Sequence, residues 1–312
     1  MFTPDERPEP LTGDELRQRL ARDLLALRPG DRLPTVRTLA ALHGASLGAV
    51  HQAVVRLEEA GAIEVDRRHG RGAVLLGRSP GRLWAEAERE PLVISLPLPT
   101  APRVQGLASA IKALLVAQDV AAYLIFLRGA RQRLAALRHG QCHLAVMSSL
   151  SAGAMTTPTE EVILELPPQS YVQEHRVYYV ERPGRAGHID RAVIDEDSAD
   201  FDILTRLEFA GTDTRLVPAT YMQFQRLIDE DRADAAILDA EEDIVARLPP
   251  TIRDRPLSEG VRAEIGDRNT RAAFVGRAGE STVRRVLEAC LDPTDLLRIQ
   301  AEVIRRDRVP EY

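Results

Sequence analysis

The sequence predicts a multidomain chain, with an N-terminal winged helix-turn-helix followed by an α/β body of two lobes. Three observations carry that expectation. Residues 12–76 show three capped amphipathic helical patterns and then two β-rich runs around a basic, Gly-containing turn. Residues 77–91, "GRSPGRLWAEAEREP", are rich in Gly, Pro and charge and read as a linker. From Leu92 onward, buried-strand patterns alternate with helical ones. The expected division is therefore 1–76, the winged helix-turn-helix head; 77–91, a linker; and 92–312, the two-lobed body. At 312 residues and 44% hydrophobic content the chain can bury the cores this requires.

In the head, "TGDE" from Thr12 has capping-box spacing, and Leu16, Leu20, Leu24 and Leu27 recur at helical intervals until "RPGD". Thr35 then caps a short helix with Val36, Leu39, Ala40 and Leu42 facing inward and Gly44 at its end. Ser46 caps a third helix whose Val50, Ala53, Val54 and Leu57 form the buried side. "AIEVDRRHGRGAVLL" supplies the hairpin of the wing.

The overall charge of -6 conceals an asymmetry. Residues 11–80 hold eleven Arg against eight Asp and Glu, whereas the remainder is acidic. Mild basicity thus sits where a phosphate-facing module needs it. No apolar run approaches membrane-spanning length, and the N-terminus "MFTPDERPEPLTGDE" lacks the pattern of a secretion signal, so a cytoplasmic location and no membrane partner are expected. Cys142 and Cys290 are far apart and suggest no disulfide framework.

Residues 12–76 resemble the N-terminal domain of the GntR superfamily of transcription regulators, in the order Leu33-Pro34-Thr35, Arg37, Leu39-Ala40, Ser46, Val50, Leu57-Glu58, Gly61 and Gly70-Arg71-Gly72. The resemblance implies a double-stranded DNA operator contacted by Thr35, Arg37, Ser46, His51 and Gln52, with His69, Gly70, Arg71 and Gly72 in the wing. The chain departs from common members in carrying Leu47 and His51 where arginines are frequent, and Val36 in place of an acidic residue. Gln can pair with adenine and Leu can meet a thymine methyl, so the site leans toward A·T steps. Gly48 permits close approach, and Arg67, Arg68 and Arg71 supply non-specific attraction.

In the body, "LVISLPLP", "AYLIFLRG" and "HLAVMS" read as strands separated by the helices "RVQGLASAIKALLVAQ" and "ARQRLAALRHG", an order that predicts a parallel sheet. "RAVIDEDSADFDILTRLEFAG", "TRLVPATYMQFQRLIDE" and "ADAAILD" repeat the rhythm in a second lobe. The arrangement resembles the type II periplasmic-binding-protein fold, and the stretch from Leu83-Trp84 through "AVIDEDSADFDILT" resembles the C-terminal domain of YhfZ-like regulators. Strand ends and helix starts nominate the cleft: Pro97, Pro99 and Thr100; Gln105 and Gly106, opening a helix whose free N–H groups favour an anion; Arg128; Ser148 and Ser149; Asp197 and Ser198; Tyr221; and Asp239. Ser and Asp at helix starts also serve as caps.

Three rival readings remain open. An enzyme is unsupported, because Lys112, the only lysine, has no accompanying motif for pyridoxal chemistry, and no HExxH or Walker-type loop occurs. His139, Cys142 and His143 in "HGQCH" have metal-ligand spacing without a fourth ligand. A binding protein with a non-reading head is the third. The favoured reading is a homodimeric, non-enzymatic regulator without cofactor or metal, binding DNA and a small anionic effector. "DPTDLLRIQAEVIRRDRVPEY" is expected to be a capped helix with a tail, serving a dimer or closing the second domain.

Overall fold

The structure is a computed structural model that describes residues 11–67, 73–88, 90–181, 187–241 and 245–312. Thr12 caps α1 (Gly13–Leu24) through a reciprocal capping box: its hydroxyl accepts from the Glu15 N–H while the Glu15 carboxylate accepts from its own N–H at 2.8 Å. Thr35 caps α2 (Val36–His43), which ends at Gly44 in the left-handed region, and Ser46 caps α3 (Leu47–Glu59). Val50, Ala53, Val54 and Leu57 are buried as expected. β1 (Ile63–Asp66) and β2 (Val74–Arg78) pair antiparallel.

One expectation for the head is corrected. Leu42 is 68% exposed. At 100° per residue the inward stripe of α2 runs through Val36, Leu39, Ala40 and His43, and Leu42 falls beside it. His43 takes the inner place, with Nε2 2.9 Å from the Asp23 carboxylate. Residues 77–91, expected to be a linker, hold the end of β2 and a helix, α4 (Pro80–Glu88). Leu83 and Trp84 are fully buried in its apolar face, and the indole Nε1 donates to the Glu90 carbonyl at 2.7 Å.

The chain divides into two compact units. One comprises Met1–Leu92, Leu114–Ala122 and Ser281–Leu291; the other comprises Val93–Ala113, Tyr123–Glu280 and Asp292–Tyr312. Within the first, α4 packs on α1 and the Gly81 N–H donates to the Gln118 carbonyl at 3.0 Å. The Arg285 guanidinium donates to the Arg22 carbonyl at 2.7 Å. Arg285 belongs to α11 (Ser281–Cys290), distant in sequence from the helices it joins.

The body contains β3 (Leu92–Leu96), α5 (Pro102–Ala117), β4 (Ala122–Phe126), α6 (Ala130–Arg138), β5 (Leu144–Ser148), α7 (Ser149–Met155) and β6 (Glu160–Glu165). It continues through β7 (His175–Val180), β8 (Arg191–Ile194), α8 (Ala199–Glu208), β9 (Arg215–Pro218), α9 (Phe224–Asp229) and β10 (Ala235–Asp239). β11 (Ile252–Pro256), α10 (Glu259–Ile265), β12 (Ala272–Arg277) and, after α11, α12 (Pro293–Ile304) complete it. Among the described residues the strands form two five-stranded sheets, β4-β3-β5-β12-β6 and β11-β7-β10-β8-β9.

Both sheets are mixed, where a parallel sheet was expected. β3 runs parallel to β5, and β8 to both β9 and β10, through helical crossovers. β12 is antiparallel to β5 and β6, and β7 to β10 and β11. The reason is connectivity. β7 is the first strand after the chain leaves the first lobe and β12 the first after it returns, so each enters its sheet without a crossover helix. Asp292 caps α12, and α12 closes the body: Gln300 donates to the Arg103 and Ser170 carbonyls at 2.9 and 2.8 Å.

Candidate functional site

The head presents a polar face at the starts of α2 and α3. Thr35, Arg37, Ser46, Leu47, Gly48, His51 and Gln52 are all exposed, with Leu47 at 53%. The Thr35 and Ser46 hydroxyls accept from the Thr38 and Ala49 N–H groups and hold both helix starts in shape. Arg67 is less available than its sequence position suggests, because its guanidinium is paired two-pronged with Glu58. Arg68, His69, Gly70, Arg71 and Gly72 lie outside the described residues.

A second site lies between the two lobes of the body. A cavity of about 60 Å³ is lined from the first lobe by Pro97, Leu98 and Val104, and by Arg128, Gly129 and Arg133 at the start of α6. Tyr171 and Val172 come from the crossing segment; His175, at the start of β7, and Ser198, Asp200, Phe201, Tyr221 and Asp239 come from the second lobe. The lobes meet at backbone level beside it. Gly129 has φ +77°, and a Cβ there would stand 2.3 Å from the Asp197 carbonyl oxygen, so only glycine fits.

Buried charge dominates the cavity. The Arg128 guanidinium donates to Asp195 at 2.8 and 3.0 Å and to Asp197 at 2.5 Å. Arg133 is 2% exposed and donates to the Val146 and Leu127 carbonyls at 2.7 and 2.8 Å and to the Tyr171 hydroxyl at 3.0 Å. The Asp200 carboxylate accepts from Ser148 Oγ at 2.5 Å and Ser151 Oγ at 2.9 Å; burial raises its pKa, against the pull of those hydroxyls and of Arg133. His175 is fully buried beside Phe201, ring centroids 5.5 Å apart, and burial lowers its pKa to about 4. It is neutral at pH 7, with Nδ1 2.9 Å from the Asn269 amide. The cavity is thus able to bind a small polar molecule by charge, with Phe201 and Tyr221 (centroids 4.6 Å apart) as its aromatic wall.

Comparison with known proteins fits this geometry. Residues 12–74 match the bacterial regulatory proteins of the gntR family, and residues 80–312 match the YhfZ C-terminal domain. The chain is 31% identical to the YhfZ protein of Escherichia coli (strain K12) over 298 residues, 94% of this chain and 95% of that one. The chain belongs to the YhfZ family. The crystal structure of YhfZ from Shigella flexneri aligns with a TM-score of 0.63 at 28% identity, covering 75% of this chain and 98% of that one. The VFT2 domain of Bordetella pertussis BvgS aligns at 16% identity with a TM-score of 0.47, over 71% of this chain and 96% of that one. The architecture is a helix-turn-helix with a small hairpin, then two five-stranded mixed sheets with helices between their strands. Among the described residues no helix is long and apolar enough to cross a membrane.

Of the cleft residues nominated from sequence, the body brings Pro97, Arg128, Ser198, Tyr221 and Asp239 together around the cavity. Pro99, Thr100, Gln105, Gly106, Ser148, Ser149 and Asp197 do not line it. α5 opens at Pro102, so Gln105 and Gly106 sit past its first N–H groups. The Gln105 amide donates to the Pro99 carbonyl, and Gly106 packs against Gln300. Ser148 caps α7 and holds Asp200, while Asp197 holds Arg128. Ser198 stands at the N-cap of α8 without a capping hydrogen bond. In "HGQCH", His139 ends α6, the buried Cys142 thiol donates to Ser95 Oγ at 3.5 Å, and His143 Nδ1 accepts from the Val93 N–H. Sequence reasoning missed Arg133, Tyr171, His175, Asp200 and Phe201. Arg133 and Asp200 occupy helix positions that read as solvated, Tyr171 lies in the crossing segment, which has no periodicity, and His175 opens β7, a strand the sequence pattern did not single out.

Proposed function

We propose that this chain is a dimeric, cytoplasmic transcription regulator whose head reads a double-stranded operator. Its body binds a small-molecule effector, and lobe closure on that effector changes DNA affinity. The observation that carries this reading is the pairing, in one chain, of an exposed reading-helix start (Leu47, Gly48, His51, Gln52) in a gntR-type head with a buried charged cavity between two lobes. Regulators with two-fold symmetry match palindromic half-sites, which motivates the dimer. The role of the body is binding rather than catalysis.

The test is capture of genomic DNA fragments by the purified full-length protein, sequenced after washing at two salt concentrations. A fragment with an inverted repeat that survives the higher salt is the expected result. Retention without sequence preference, lost uniformly with salt, would leave only non-specific phosphate attraction and overturn the regulator. Sedimentation of the protein on the retained fragment checks the dimer; one chain per site would refute it.

A further inference from the structure

Among the described residues the Arg133 guanidinium, buried on the cavity wall, contacts only neutral oxygens: two main-chain carbonyls and the Tyr171 hydroxyl. None of their carboxylates hydrogen-bonds to it, and Asp200, held by Ser148 and Ser151, feels its charge only through space. Buried charges are ordinarily paired, because desolvation is costly without a counter-charge. Arg128, by contrast, is satisfied by Asp195 and Asp197 and has little left to offer an anion. The opening for a ligand's negative group is therefore at Arg133, in the first lobe.

The facing lobe has the opposite character. Asp239 ends β10 at 2% exposure and Asp200 lies in the first turn of α8 at 5%, beside Phe201 and Tyr221. A purely anionic ligand would meet Arg133 but also press a like charge against these carboxylates. A purely cationic one would leave Arg133 uncompensated. A molecule carrying both charges satisfies both walls, and aromatic rings favour an ammonium beside them. The space of about 60 Å³ is roughly that of two water molecules at their liquid volume, which limits the ligand to a handful of heavy atoms, on the scale of glycine and its smallest homologues.

We infer that the ligand of the body is a small zwitterion of the α-amino-acid class, its carboxylate on Arg133 and its ammonium toward Asp239 and Asp200. This inference rests on the reading of the body as an effector domain and replaces the anionic ligand expected from Arg128 and from the helix start at Gln105 and Gly106. A ligand so placed ties one lobe to the other through its two charged ends.

The experiment is titration calorimetry of the full-length protein with glycine, L-alanine and L-serine, against acetate, propionate, ethylamine and inorganic phosphate. At least one amino acid is expected to bind about tenfold or more tightly than every single-charge probe. Asp239→Asn and Arg133→Lys are each expected to weaken it by about tenfold or more, the second because the planar fork is lost while the charge stays. Acetate, ethylamine or phosphate binding as tightly as the amino acids overturns the inference, as does no binding of any probe to the wild type. The wild-type comparison stands even where a variant fails to fold. Run on the same preparation as the DNA capture, the outcomes separate. Specific DNA retention without amino-acid binding overturns the ligand class alone, and amino-acid binding without specific retention overturns the regulator alone.

Discussion

His175 should make the body acid-labile in a defined window. The ring is fully buried, its Nδ1 is engaged by Asn269, and the charged groups sharing its cavity wall are Arg128, Arg133, Asp200 and Asp239. Burial lowers its pKa from 6.5 to about 4. The unfolded chain therefore takes up a proton near pH 6.5 that the native state resists until near pH 4, so stability falls as pH drops through this interval and is unaffected above it. With these two values the loss between pH 7 and pH 5 is roughly 2 kcal/mol, approaching roughly 3 kcal/mol below pH 4. The assay is urea unfolding by circular dichroism at both pH values, for the wild type and for His175→Asn, whose amide oxygen can replace Nδ1 as acceptor. The variant should be less stable at pH 7 but flatter with pH by roughly 2 kcal/mol. Equal losses in the two proteins would refute the assignment of this proton to His175.

Other expectations follow from the same contacts. Gly129→Ala places a methyl group against the Asp197 carbonyl in a positive-φ position, and should cost about 1–3 kcal/mol and hold the lobes apart; an unchanged unfolding midpoint would contradict it. Trp84→Ala removes a side chain only 1% exposed and its bond to Glu90, and should cost about 3–5 kcal/mol in thermal unfolding; a loss below about 1 kcal/mol would mean the indole is not a core residue. Gln52→Ala should relax base preference at one operator position by about 1–3 kcal/mol, whereas Arg37→Ala and Arg71→Ala should weaken all DNA alike and flatten the salt dependence. Equal losses by all three on specific and random fragments would contradict that division.

The parts legible in the sequence are those whose physics is local. The caps Thr12, Thr35 and Ser46 act on N–H groups three residues away, and the buried stripe of α3 is a matter of helical period. The strand and helix patterns of "LVISL" and "AAILD" likewise needed no partner to be recognised. Tertiary contact decided the rest. α4 looked like a linker because its composition is polar, and it is a helix because Leu83 and Trp84 find an apolar surface to bury against. The sheets are mixed because of which lobe the chain enters next, a choice no strand encodes in its own residues. Arg133 and Asp200 sit on helices whose local pattern is charged and ordinary. Only packing that strips water from both, and leaves the arginine facing carbonyls and a hydroxyl, turns them from surface charges into the walls of a binding cavity.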